Sequence, residues 1–506
     1  MSEQHVVVID EGTTSTRAVL FDAKSRVVAE SSRHLSIQTP TPQQVEQDAQ
    51  EMLDRTVEAL RDVLSEAEAA GHQIAVLGLS NQRTTTVLWD KHSGKPVAPI
   101  VSWQDTRAQE RVNAMREEWG ACFNEATGLQ LQAANSAMHL AELLDDPQLR
   151  IKAEEGLLLA GTPDTWLIWS LTGGPKGGKH VTSQSNAGST GAFDLASGSW
   201  WGEFLDELDV PVGLLPEVLD DDGDFGVTSA ALVGRELPIR SAFADQQAAL
   251  FGHGGFEAGA AKCTHGTGSF VDFNVGSEAK AVRGVDLRIA WVAGGESRYM
   301  FEGSSFVTGS AIDWLVDSLG VLSSANELDA VCAATPDAHG AICIPALAGF
   351  TAPYWDQSST GSVFGLTRGV TKNHLVRATV DGIAATIADL VRFMAAEGGT
   401  EPGRILVDGG LSRSDALLQA QADFTGATVT RAADAEHVTA RGAAWMAGVS
   451  VGVWKSKEHA AEHVKNEGDF LARRDAEQLS DFRNSWEDAI QRTLGWHGWA
   501  QGEDNK

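Results

Sequence analysis

At 506 residues the chain exceeds what a single hydrophobic core usually supports, so two or three domains are expected. A hydrophobic content of 42% with only 14 prolines excludes a long disordered region, and no apolar run is long enough to cross a bilayer as a helix. The formal charge of -30 excludes nucleic acid and anionic membrane surfaces as natural partners.

Met1 to His5 shows no basic stretch followed by a hydrophobic one, so no secretory signal is read and a cytoplasmic location is expected. Val6-Val7-Val8-Ile9 predicts a fully apolar strand, and Ala18 to Phe21 predicts a second. Between them, Asp10 to Arg17 is a tight turn of Gly and hydroxyl residues with an acid at its mouth. Such a turn converges backbone N–H groups and hydroxyls on one point, as a phosphate cradle requires. Asp10 stands where a carboxylate holds hydrated Mg²⁺ against those phosphates. No G-x-x-x-x-G-K-[ST] loop occurs in the chain. Asp and Gly are also the residues of ordinary hairpin turns, so this stretch alone leaves both readings open.

From Val45 the set Ala49, Met52, Leu53, Val57, Leu60 and Leu64 keeps helical spacing, and a strand from Ile74 to Leu79 follows. Strands alternating with amphipathic helices predict an α/β protein with mixed sheets. The four cysteines (Cys122, Cys263, Cys332, Cys343) lack CxxC spacing and suggest neither a zinc site nor a disulfide framework. Asp224-Phe225-Gly226 matches a kinase metal triplet but has no H-R-D or V-A-I-K companion, so it reads as the end of an acidic loop, Asp220 to Asp224.

The chain divides near residue 250, just after Ala244-Asp245-Gln246-Gln247, into 1–249 and 250–506. No Pro/Ser-rich linker marks the boundary, so the halves are expected to hinge through packed helices. Cys263 to Ser269 repeats the opening pattern in looser form and leads into the strand Phe270 to Val275. Two glycine-threonine hairpins so far apart suggest a duplicated fold with two phosphate-binding turns facing across a cleft. A third glycine turn, Asp408-Gly409-Gly410-Leu411-Ser412, follows the strand Ile405 to Val407 and precedes a helix through Ala416 to Leu418. His459-Ala460-Ala461-Glu462-His463 matches an inverted zinc-protease pattern but reads as the solvated face of a charged helix. Against the acidic background, Arg17, Arg83 and Lys262 are the cations expected to attract a triphosphate.

These segments together resemble the FGGY carbohydrate kinases, and within them the glycerol kinase branch. The resemblance rests on Asp10 to Ser15, Ser80-Asn81-Gln82-Arg83, Val101 to Arg107, Gly161 to Leu167, Ala244 to Gly252, and His265 to Gly268. It continues through Ala352 to Asp356, Gly365 to Gly369 and Val407 to Gly410, nearly the whole length. It implies two actin-like (ribonuclease H-like) ATPase domains, with mixed sheets flanked by helices and a cleft between them. By that resemblance Thr13, Thr14, Ser15 and Arg17 approach the ATP phosphates from one side, and Thr267 and Gly309 from the other. Gly410 supports the adenosine, while Arg83, Asp245 and Gln246 line the pocket of a small polyol or sugar. Asp245 would accept the proton of the attacking hydroxyl, and Asp10 with Mg²⁺ would neutralise charge on the γ-phosphoryl oxygens. As a purely structural alternative, Asp245 caps the helix that follows it. The resemblance leaves a homodimer or homotetramer open.

The sequence departs from glycerol kinases at several points. Thr84 stands where they carry a Glu that binds a substrate hydroxyl, and Ala134 stands where they carry a Tyr. Only two tyrosines occur in the chain, Tyr299 and Tyr354, so no nearby Tyr substitutes. Glu11 replaces Gln after Asp10, Asp313 replaces a Gln near the phosphates, and Ser414 replaces an Asn near the adenine. A pocket without the acid and the ring suggests an acceptor longer than glycerol, a polyol or ketose of four or five carbons such as erythritol or xylulose. The competing class is a nucleotide-gated binding module of the same superfold. It lacks the Asn81-Gln82-Arg83 and Asp245-Gln246-Gln247 segments, so the kinase reading is favoured.

Overall fold

Two mixed sheets organise the chain, each entered through one of the glycine-threonine hairpins. The computed structural model describes residues 4–278, 280–474 and 476–496. In the first sheet the strands are β1 (Gln4–Glu11), β2 (Ser15–Phe21), β3 (Val27–His34), β4 (Gln73–Asn81), β5 (Gly226–Val227) and β6 (Pro238–Ala244). Their spatial order is β5-β6-β4-β1-β2-β3. β1 runs antiparallel to β2, which sets Ile9 opposite Ala18 and Asp10 opposite Arg17, and parallel to β4. β1 is buried on both faces after its first residue, as expected of a strand covered by helices on each side.

Helix α1 (Ala49–Ala69) covers one face with Met52, Leu53, Val57, Leu60 and Leu64. It begins four residues later than the hydrophobic spacing suggested. Asp48 caps it by accepting from the Gln50 and Glu51 N–H groups, and Glu46–Gln47 instead pairs with Ile100–Val101. Helix α2 (Gln109–Thr127) ends at Gly128, and the first lobe closes with β6 running directly into helix α3 (Asp245–Gly252).

The second sheet holds β7 (Ala261–His265), β8 (Ser269–Gly276), β9 (Asp286–Ala293), β10 (Glu296–Ser305), β11 (Arg404–Asp408), β12 (Thr428–Ala432) and β13 (Asn466–Phe470). Their order is β9-β10-β8-β7-β11-β12-β13. The short helix α4 (Gly309–Asp313) follows β10. The long helix α5 (Lys372–Gly398) and helix α6 (Asp415–Thr425) complete this lobe, with Val380, Ile383 and Ile387 packing with Val271 and Phe273 in one core.

Helix α7 (Val438–Ser450) returns to the first sheet, where Ala443 and Trp445 share a core with Val6, Val8 and Val76. Glycines permit that return. A Cβ on Gly78 would stand 2.9 Å from the Ala443 carbonyl oxygen, and one on Gly442 only 1.9 Å from that of Ala248. The helix that carries Asp245 is thus clamped by a helix from the far end of the chain.

The acidic loop is not uniformly solvated. Asp221 is fully buried and accepts from the Ser185 hydroxyl at 2.5 Å and the Val292 N–H at 2.7 Å. Phe225 of the kinase-like triplet belongs to the first core, as a loop end anchored in the lobe would. Lys457–Ala461 is a short helix with Glu458, Glu462 and His463 exposed around it.

Candidate active site

The site is built where β4 and β6 end side by side. Their register places Asn81 opposite Ala244, so Arg83 and Asp245 leave adjacent strand ends. Arg83 Nε stands 3.2 Å from Asp245 Oδ1, which also accepts from the Gln246 N–H at 2.7 Å. Asp245 is itself the first helical residue and Ala244 holds the cap position, so the simple capping reading is displaced by one residue. Asp245 Oδ2 has no hydrogen-bond partner among the described residues, and the side chain keeps 31% of its surface exposed. Burial pushes the Asp245 carboxyl above the usual aspartate range, against the opposing pull of Arg83.

Ser185 fixes the backbone just before this carboxylate: its hydroxyl donates to buried Asp221 and accepts from the Ala244 N–H at 3.1 Å. Asp221 is pushed up to about 7 by its burial.

The second lobe reaches into the same place. Arg83 Nη2 lies 2.7 Å from Glu302 Oε2 on β10, and Arg288 Nε on β9 lies 3.0 Å from Glu302 Oε1. Burial opposes ionisation of Glu302, yet Arg288 and Arg83 outweigh it and hold its carboxyl below the ordinary range. Arg288 Nη2 also pairs with Asp286 at 2.8 Å, and Asp286 accepts from the Gln130 N–H at 3.0 Å. Lys262 is wholly buried between Asp272 at 2.7 Å and the Gln246 side-chain oxygen at 2.6 Å. Glu302, Arg288, Asp286 and Asp272 were not singled out from sequence. Their signal is a charged residue inside an apolar strand, as in Tyr299-Met300-Phe301-Glu302 and Phe270-Val271-Asp272-Phe273.

The three cations expected to attract phosphate are all matched by carboxylates in this conformation: Arg17 by Asp10, Arg83 by Asp245 and Glu302, and Lys262 by Asp272. Both glycine-threonine turns, by contrast, stay at least partly exposed. In the first hairpin the Gly12 N–H donates to Ser15, Trp103 Nε1 donates to the Thr13 hydroxyl at 3.0 Å, and Thr14 is exposed. In the second, Thr267 is exposed and its carbonyl accepts from the Thr308 N–H at 3.0 Å. A Cβ on Gly309 would stand 2.6 Å from the Gly266 carbonyl oxygen, and one on Gly409 would stand 2.4 Å from that of His265. Gly409 also needs its positive φ of 86°. The close approaches at Gly309 and Gly409 thus bring their segments against Gly266 and His265 of the second hairpin. Asp313 ends α4 and is exposed. Ser414 caps α6 and donates its hydroxyl to Asp329 at 2.6 Å, so that hydroxyl is engaged within the protein.

Asp10 accepts from Arg17 Nη2 at 2.6 Å through Oδ2 and from the Ser80 hydroxyl at 2.9 Å through Oδ1. Lone pairs remain on both oxygens, and one carboxylate with phosphates and water is a normal Mg²⁺ environment, so the residue fits that ion. Beside it, Glu11 is fully buried, accepts from the Thr56 hydroxyl at 2.9 Å and is pushed up to about 8 by burial. It is therefore a neutral acid at pH 7 and a near-isostere of the glutamine expected there.

Thr84 and Ala133, the neighbour of Ala134, meet around one histidine. The buried His139 ring, held down to about 4 by burial, lies against the backbone of both Ala133 and Thr84. Thr84 adopts φ 53°, an uncommon conformation for a β-branched residue, and its hydroxyl donates to the Arg83 carbonyl at 2.8 Å.

Comparison with known proteins agrees with this architecture. Residues 5–252 match the N-terminal domain and residues 261–451 the C-terminal domain of the FGGY family of carbohydrate kinases. A glycerol kinase of Halorhodospira halophila is 38% identical over 99% of both chains, and one of Thermococcus gammatolerans is 39% identical over 98% of this chain and 99% of its own. The crystal structure of Plasmodium falciparum glycerol kinase with ADP is 25% identical and superposes with a TM-score of 0.93, covering 98% of this chain and 99% of its own. A xylulose kinase from Rhodospirillum rubrum, at 24% identity and a TM-score of 0.87, shares the fold. With both family domains in order along one chain, this protein belongs to the FGGY carbohydrate kinases, phosphotransferases that act on an alcohol group.

Proposed function

We propose that this kinase transfers the γ-phosphoryl group of ATP to a terminal hydroxyl of a small polyol, with glycerol as the first acceptor to test. The observation that carries this reading is the near-full-length likeness to glycerol kinases, at 37–39% identity. Residues 1–249 form the acceptor lobe and 250–506 the nucleotide lobe. Asp245 acts as general base through its unbonded oxygen, and its raised pKa improves its match to an alcohol proton. Arg83 and Gln246 orient the acceptor, with Thr84 beside them. Thr13, Thr14, Ser15 and Arg17 meet the phosphates from one lobe, and Thr267, Gly309 and Asp313 from the other. Gly410 and Ser414 flank the nucleoside.

Asp10 would hold Mg²⁺, which supplies charge neutralisation at the γ-phosphoryl oxygens. Bound reactants held in line lower the barrier by about 7 kcal/mol through orientation alone. A longer acceptor is the second reading, favoured because the Thr84 hydroxyl is turned back onto the Arg83 carbonyl and leaves no acid for a substrate hydroxyl. ADP release by the purified chain with ATP and Mg²⁺ tests the function. Turnover should rise at least about tenfold on adding glycerol or a four- or five-carbon polyol. Turnover indifferent to every polyol would refute it.

A further inference from the structure

Arg288 is a buried cation beside the Arg83–Glu302 pair that neither the family motifs nor the proposed mechanism uses. It projects from β9 of the second lobe. Its Nε faces Glu302 and its Nη2 faces Asp286, at 3.0 and 2.8 Å. Its Nη1 is buried and has no hydrogen-bond partner among the described residues. A buried guanidinium with an unmatched donor costs free energy unless something supplies an acceptor.

The position of this donor is informative. Glu302 is shared between Arg288 and Arg83, and Arg83 pairs with Asp245. Through Asp286, Arg288 is tied to Gln130, in the segment that leads to Ala134. Arg288 thus spans the interval between the proposed reaction centre and the segment where an aromatic ring is missing. Thr84 meets that segment at His139, which borders the backbone of both Thr84 and Ala133.

We propose that Arg288 is a specificity-determining residue, whose free donor takes a hydroxyl oxygen of the acceptor beyond the third carbon, making the substrate a neutral polyol or ketose of four or five carbons. This rests on the kinase reading above. Charge argues for a neutral acceptor. The cations Arg83, Arg288 and Lys262 face the carboxylates of Asp245, Glu302, Asp286 and Asp272. Among the described residues around Asp245, each of these positive charges thus has a carboxylate partner and none is left for a sugar acid. A site built to bond a particular hydroxyl discriminates strongly against a substrate that lacks it.

The test measures kcat/KM for glycerol, erythritol, threitol, xylitol, xylulose and gluconate with the wild-type chain, Arg288→Lys and Arg288→Ala. Melting temperatures accompany each variant. The wild type should favour a four- or five-carbon neutral acceptor over both glycerol and gluconate. Either Arg288 variant should lower kcat/KM for that acceptor at least about tenfold more than it lowers kcat/KM for glycerol. Thr84→Glu, which leaves Arg288 intact, should move the preference back toward glycerol, and it keeps the test decisive if the Arg288 variants do not fold. Equal losses on all acceptors, a preference for gluconate, or a Thr84→Glu chain with unchanged preference would overturn the assignment. If the wild type phosphorylates glycerol best and Arg288 variants leave that ranking unmoved, only this inference fails. If it phosphorylates no polyol, the kinase reading fails with it.

Discussion

At the scale of single residues, burial decides chemistry that the sequence leaves open. Glu11 looks like an added negative charge in the phosphate hairpin, but its burial keeps it protonated up to about 8. Its folded-state pKa is raised, so the stability it contributes is complete below the ordinary glutamate value of about 4.5 and is lost as pH rises toward 8. Glu11→Gln removes that dependence. The variant should gain about 3 kcal/mol relative to wild type between pH 4.5 and pH 7, at about 1.4 kcal/mol per pKa unit, in urea unfolding followed at both pH values. A constant difference across that range would show that Glu11 is ionised throughout. Asp245 shifts in the same direction, so kcat should fall on the acid side at a pH above the ordinary aspartate value of about 3.9. An acid limb at or below that value in a pH–rate profile would contradict the burial of this carboxylate. Asp10, Arg83 and Asp245 were legible because each stands in a short run whose composition is dictated by turn geometry or by its chemistry. Arg288 and Glu302 were not legible, because their meaning comes from strands far along the chain that meet Arg83 only after folding.

At the scale of elements, the strands were the most readable parts. β1, β4 and β11 fall on the apolar runs that announced them, with boundaries extended by a residue or two where flanking polar groups join the ladder. Helix α1 was readable in its periodicity but not in its start, since Asp48 supplies a local cap that spacing alone does not reveal. The return of α7 to the first sheet was hidden altogether. Its marker is Gly442, whose missing side chain lets α7 touch α3 at the Ala248 carbonyl. Gly442→Ala should cost roughly 1–3 kcal/mol by overpacking and should lower turnover as well, because α3 carries Asp245. Denaturant unfolding together with kcat measures both. A fully stable and fully active alanine variant would mean that the two helices separate freely.

At the scale of the whole molecule, polar contacts cross between the lobes beside the apolar packing of α7 on the first sheet. Arg83 with Glu302, Lys262 with Gln246, Gln130 with Asp286, and Asp221 with Val292 all cross between them. The net charge of -30 sets a repulsive field against this closed arrangement. Screening lengths shrink to about 3 Å at 1 M salt, so the melting temperature should rise with added sodium chloride. A falling melting temperature would place the dominant electrostatics in the cross-lobe pairs instead. The two hairpins, and the duplicated plan they implied, were legible because each carries its own glycine-threonine turn. The polar seam between the lobes was not, since its partners lie on different sheets. The central claim is that the cleft brings one aspartate to an alcohol beside a bound triphosphate. The most direct measurement is Asp245→Asn, with ATP affinity and acceptor-dependent ADP release followed on the same preparation. ATP binding should stay within about threefold of wild type while kcat falls by roughly 10²–10⁴-fold. Wild-type turnover in that variant would contradict the account.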